Sequence, residues 1–62
     1  MKAHLRIINW DTDNPEGRAR AELETCTLID SLKDVAASGT IKVTWLSRDT
    51  KWITSIIEWC TL

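Results

Sequence analysis

The side chains that could take part in catalysis are few and lie far apart in the sequence. His4 is the only histidine, and its predicted strand offers Arg6 rather than a carboxylate beside it. General acid–base catalysis and metal binding both normally need a second group held next to the histidine. Cys26 and Cys60 have neither a CxxC spacing nor a neighbouring histidine. We therefore predict no enzymatic activity and no catalytic residue, and we interpret His4 as a partly exposed strand residue.

The acidic residues Asp11 and Asp13 do not complete a metal site. A calcium-binding loop that began at Asp11 would need a ligand where Pro15 stands and a glycine where Glu16 stands, and only Glu22 fits its pattern. The two glycines of the chain are far apart, so a glycine-rich phosphate loop is also excluded. We predict no metal and no cofactor.

The length of 62 residues favours one small domain over residues 1–62. With 44% hydrophobic and 27% charged residues, the composition is typical of a globular protein. Domains of this size are marginally stable unless staples or oligomers support them. The chain has four tryptophans and no phenylalanine or tyrosine, and tryptophan serves both in cores and as an interface anchor. Association is therefore a natural expectation.

The sequence contains no apolar run of about 20 residues for a membrane span and no signal-peptide pattern. We expect no membrane association and a cytoplasmic location. Reduced, mostly buried thiols are the favoured interpretation of Cys26 and Cys60. A disulfide between them is the alternative if the helix brings the two side chains together.

The first part of the chain predicts a strand followed by a helix. Residues 3–10 alternate between an apolar face (Ala3, Leu5, Ile7) and a mixed face (His4, Arg6, Ile8, Trp10). Asn14 and Pro15 favour a helix start, and we expect regular helix from Arg18 to about Ala37, closed by Gly39 in a left-handed conformation. The apolar stripe of that helix, taken as its core face, consists of Ala21, Thr25, Leu28, Ile29, Leu32, Val35 and Ala36.

The last third of the chain predicts a β-hairpin. Two β-rich runs in residues 41–60 flank the polar break at residues 48–51. We predict an α+β fold of β-α-β-β order, a two-layer domain with one helix packed on a three-stranded mixed or antiparallel sheet. The third strand is the longest and most apolar, so we expect it in the centre, antiparallel to both neighbours.

The face of the sheet away from the helix should carry large apolar side chains in either hairpin register. It keeps Leu46, one tryptophan and at least one isoleucine from the third strand, and we expect Ile8 and Trp10 to join it. Because one helix covers only one face, the other should be a partner site. The predicted interface residues are Trp10, Leu46, Trp52, Ile53, Ile57 and Trp59.

The function favoured by these features is that of a small, non-enzymatic, homodimeric protein-interaction module that sequesters, inhibits or regulates a protein partner. The dimer could form face to face or by pairing edge strands. Such short, tryptophan-bearing chains are frequent among accessory proteins of phages and mobile elements, which is a compositional expectation only. The acidic helix could alternatively dock on a basic protein surface.

The alternative is binding of a nucleotide or a single-stranded nucleic acid. Aromatic side chains that stack on bases beside cations that hold phosphates are typical of sheet-faced binders. The predicted anion-binding residues are Arg6, Lys42 and Arg48. The acidic net charge of −1 is unlike that of most duplex-binding proteins.

Overall fold

The computed structural model describes residues 1–46 and 51–62, which form strand, helix, strand and strand in that order. The elements are β1 (Lys2–Asp11), α1 (Gly17–Leu32), β2 (Lys42–Leu46) and β3 (Trp52–Thr61). The predicted α+β class is confirmed. The sheet has the order β1-β3-β2, with β3 antiparallel to both of its neighbours.

The two outer strands pair with β3 over different lengths. β1 follows β3 from end to end, with Lys2 opposite Thr61 and Asp11 opposite Trp52. β2 has only five residues, all paired with the middle of β3. The chain between α1 and β2 also contacts the end of β3, where Ala37 donates its backbone N–H to the Cys60 carbonyl at 2.8 Å.

Small residues at four-residue spacing bring α1 close to the sheet. Gly17, Ala21 and Thr25 lie on one side of the helix, and all three are buried. A side chain at Gly17 would collide with the backbone carbonyl of Asp11, so only glycine fits where the helix passes the end of β1. Further along, Leu32 packs with Ile8 and Ile57 in the apolar core.

A buried hydroxyl pair joins the helix to β3. The Thr25 hydroxyl donates to the Ala21 carbonyl at 2.7 Å, and Thr25 Oγ1 lies 2.7 Å from Ser55 Oγ. Because a threonine hydroxyl has a single proton, Ser55 must donate in the second bond. Both residues are almost completely buried, so this pair satisfies polar groups that would otherwise be costly to bury.

The helix is shorter than predicted. It ends at Leu32, whose carbonyl accepts from Val35 at 3.1 Å and from Ala36 at 2.8 Å in a turn. Val35 is therefore 58% exposed rather than part of the core. Gly39 does have a left-handed φ of 75°, but it lies in the connection to β2 rather than at the end of the helix.

The register shows that the face of β1 that packs on the helix is the opposite of the one we predicted. Ile8 pairs with Ser55 and Trp10 pairs with Ile53, and Ser55 contacts the helix. Directly paired residues share a face of the sheet, so Ile8 and Trp10 lie on the helix side. The prediction that they join the opposite face is wrong.

A double-mutant cycle tests the hydroxyl pair. Thr25→Val keeps the side-chain shape but leaves the buried Ser55 hydroxyl without its acceptor, so we expect a loss of about 1–3 kcal/mol in the free energy of unfolding. Adding Ser55→Ala removes the unpaired group, and the double variant should lose less than the sum of the single losses. Urea unfolding at one fixed protein concentration measures the coupling. Strictly additive losses would contradict the pairing.

Candidate functional site

The candidate site is the face of the sheet that points away from α1, here called the open face. The register assigns to it alternate residues of all three strands: Ala3, Leu5, Ile7, Asn9 and Asp11 of β1, Lys42, Thr44 and Leu46 of β2, and Trp52, Thr54, Ile56, Glu58 and Cys60 of β3. Four of its large apolar side chains are strongly exposed, namely Leu5 at 59%, Ile7 at 58%, Leu46 at 41% and Trp52 at 38%.

The open face is organised as rows that cross the three strands. In the central row, Ile7 lies opposite Ile56, and Ile56 lies opposite Thr44. Leu5 occupies the next row towards the start of β1, opposite Glu58. At this end of the face, apolar side chains of β1 and β3 therefore surround a carboxylate on the central strand.

The row on the other side of the centre contains Asn9, Thr54 and Leu46. Within it, the Thr54 hydroxyl donates to Asn9 Oδ1 at 2.7 Å. Leu46 lies on β2 at the end of this row, and Trp52 begins β3 opposite Asp11. This polar pair lies between the central row and the further apolar side chains on β2 and β3.

Two of the six predicted interface residues, Leu46 and Trp52, lie on the open face. Ile53 and Ile57 are instead core residues, at 8% and 0% exposed. Each lies two residues from Ser55 on β3 and therefore shares its face, the helix side of the sheet. Trp10 and Trp59 also lie on the helix side, partly buried against the core.

Leu5 and Ile7 were not among the predicted interface residues, although they are the most exposed apolar side chains of the open face. The signal that could have found them was present in the sequence. Residues 3–10 have one uniformly apolar face, and we assigned that face to the core.

His4 and Trp59 form a stacked pair on the helix side of the sheet. Their ring centroids are 5.3 Å apart with an interplanar angle of 16°, and His4 Nε2 lies 2.9 Å from Thr61 Oγ1. Both rings are partly buried. The contacts of His4 are thus those of a packed strand residue.

The structure does not bring the predicted anion-binding residues together. Arg6 lies on the helix side of β1, whereas Lys42 lies on the open face opposite Glu58. Arg48 lies outside the described residues. An anion bound on either face could therefore contact Arg6 or Lys42 but not both.

Among the described residues, shallow grooves lie on both sides of the helix. One of about 420 Å³ lies between α1 and β1 and is lined by Arg6, Ile8, Leu23, Glu24, Thr27, Leu28 and Ser31. The other, of about 360 Å³, lies towards β2 and is lined by Arg18, Glu22, Trp45, Leu46 and Ile53. The first groove follows the strand that carries Leu5 and Ile7 on its opposite side.

The titratable and sulfur-bearing side chains are dispersed in the described structure. Cys26 and Cys60 are free thiols, the first exposed on α1 and the second half-buried. Across residues 1–46 and 51–62, no three histidine, cysteine or acidic side chains cluster as a metal site would require. No described helix is long and apolar enough to cross a membrane.

Comparison with known proteins finds no matching family model, no matching curated protein and no matching solved structure.

The two faces of the sheet predict different effects for two tryptophan substitutions. Trp59→Ala should lower the free energy of unfolding by about 2–4 kcal/mol, because it removes a ring packed on the core and on His4. Trp52→Ala should cost less than about 1 kcal/mol, since Trp52 is 38% exposed and is not part of the cluster around Ile8, Leu32 and Ile57. Chemical unfolding of both variants makes the comparison. Equal losses would mean that the two rings have equivalent environments.

Proposed function

We propose that this chain is a small, non-enzymatic protein-interaction module that self-associates as a homodimer and uses its open face to bind a protein. One observation carries the proposal. Leu5, Ile7, Leu46 and Trp52 are exposed together on one face of a sheet whose other face is packed on the only described helix. Large exposed apolar surfaces on a soluble protein usually mark sites of interaction with a partner.

The energetics support association. Full burial of a leucine or isoleucine side chain contributes about 1.5–3 kcal/mol. The open-face side chains of one copy are roughly half exposed, so covering them would supply part of the free energy that a complex needs. A domain of this length gains the most from such cover because its own core is small.

In this proposal the domain has two layers, with α1 on one face of the sheet and the bound protein as a third layer on the other. The row structure of the open face suits that role. Its apolar centre at Ile7 and Ile56 lies between a row that contains Glu58 and Lys42 and a row that contains the Asn9–Thr54 pair. A mixture of apolar and polar side chains is usual for a protein interface. The module would act by sequestering, inhibiting or regulating the protein that it binds.

Binding of a nucleotide or a single-stranded nucleic acid has less support. Of the described cations predicted for it, Arg6 and Lys42 lie on opposite faces of the sheet. Trp52 on the open face could stack on a base, but the carboxylate of Glu58 lies directly opposite Lys42 and would oppose a phosphate there.

A pair of lysine substitutions tests the proposal. Ile7→Lys places a charge at the centre of the open face. It should raise the dissociation constant of the dimer at least tenfold and so shift the solution mass towards that of the monomer. Val35→Lys is the matched control, because both side chains are 58% exposed but Val35 lies in the turn after α1. Light scattering over a range of concentrations, with reductant present, measures the mass.

The expected result is a wild-type dimer, an unchanged dimer for Val35→Lys and a weakened one for Ile7→Lys. Circular dichroism of each variant shows that the fold is retained. A wild-type chain that stays monomeric at all concentrations would overturn the self-association part of the proposal.

A further inference from the structure

Among the described residues, β1 has an unpaired edge up to Asp11, whose backbone carbonyl accepts from the Asn14 amide in the following turn. Among the described strands, β3 is the only one that pairs with β1, and it does so on one side over the ten residues Lys2–Asp11. The other side of β1 presents backbone N–H and C=O groups to its surroundings. Such an edge is a template for pairing with another strand.

The charges at the ends of β1 make this edge complementary to itself. The strand begins with Lys2 and ends with Asp11, and Asp13 follows directly in the next turn. Antiparallel pairing of two identical strands places the end that carries Lys2 near the end of the other copy that carries Asp11, with the lysine on the helix side of the sheet and the aspartate on the open face. Parallel pairing would bring like charges together.

We propose that the homodimer forms by antiparallel pairing of β1 with β1 of a second copy, centred on Ile7, to give a continuous six-stranded sheet. This inference rests on the proposed self-association and names its partner and its geometry. A two-fold axis perpendicular to the sheet relates the copies and keeps both helices on the same side.

The register follows from the residues that it places opposite one another. A two-fold axis must pass through a pair of identical residues, so the long overlaps are those centred on Arg6 or on Ile7. Centring on Arg6 would set two guanidinium groups directly opposite each other, which is destabilising. Centring on Ile7 pairs Ile7 with Ile7, Leu5 with Asn9 and Arg6 with Ile8 of the second copy.

The helices support the same arrangement. Within the described residues, the backbone of α1 approaches β1 and β3 more closely than β2, so the helix lies towards the free edge of the sheet. Pairing at that edge would set the two helices about two strand spacings apart, or about 9.6 Å. Helices pack at interaxial distances of about 8–10 Å.

The groove between α1 and β1 would then become the space in which the two helices meet. Its helical wall includes Leu23, Thr27 and Ser31 at four-residue spacing, a ridge that fits helix-to-helix contact. Leu23 is strongly exposed in the single chain and would be covered. The dimer would also join the two open faces side by side, with Leu5 and Ile7 of both copies at the centre of one protein-binding surface.

Single cysteines in a Cys26→Ser, Cys60→Ser background test the register. In the proposed dimer the two Ile7→Cys residues are directly opposite, with Cα atoms about 4.5–5.5 Å apart, which suits a disulfide. Two Leu5→Cys residues would be about 14 Å apart and should not cross-link. Leu5 and Ile7 share a strand, a face and nearly the same exposure, so Leu5→Cys is a matched control for Ile7→Cys.

Mild oxidation with oxidised glutathione, followed by non-reducing electrophoresis, gives the readout, and light scattering gives the mass of each reduced variant. We expect a covalent dimer from Ile7→Cys and none from Leu5→Cys alone. When the single variants Leu5→Cys and Asn9→Cys are mixed, we expect a disulfide between one chain of each. A dimer by mass in which Leu5→Cys cross-links as readily as Ile7→Cys, or in which no pair cross-links, would overturn this register and leave the proposed self-association standing. A monomeric mass for the unsubstituted chain would overturn both.

Discussion

The contact between α1 and the sheet through small buried residues sets the rest of the structure. Gly17, Ala21 and Thr25 let the helix lie directly against the sheet, and the Thr25–Ser55 hydrogen bond fixes which side of β3 it touches. Once Ser55 faces the helix, the alternation of side chains along β3 puts Ile53 and Ile57 in the core. The pairing of β3 with its neighbours then determines every residue of the open face.

The position of the helix also explains why the chain has surface to offer a partner. α1 lies over β1 and β3, and its 16 residues cover one side of the sheet only. The side that remains carries Leu5 and Ile7 on an edge strand whose backbone is unpaired on its outer side among the described residues. Apolar side chains and free backbone groups thus coincide on β1, where sheet extension and apolar burial can act together.

The sequence predicted the class of fold and the existence of an exposed apolar face, because strand alternation and the turn residues around Asn14 are strong local signals. It did not predict which face of β1 is buried. Leu5 and Ile7 on one face and Ile8 and Trp10 on the other are all apolar, so the pattern was ambiguous, and the choice depends on pairing with Ser55, a long-range contact.

The residue at which the helix ends could not be predicted from local signals, for a similar reason. Val35 and Ala36 continue the helical period, and the first strong terminator is Gly39. The helix ends earlier, at Leu32, and the chain then turns so that the Ala37 amide reaches the Cys60 carbonyl and guides the connection into β2. That constraint comes from Cys60 in β3, which lies 23 residues after Ala37 and is outside what local periodicity includes.

The most direct test of this account is amide hydrogen exchange of the wild-type chain at two protein concentrations that lie on either side of the dimer midpoint. The account predicts that outward-facing amides of β1 exchange more slowly at the higher concentration, because a second β1 covers them, while amides at the outer edge of β2 keep the same rate. Protection that rises in β2 instead, or exchange in β1 that does not depend on concentration, would contradict it.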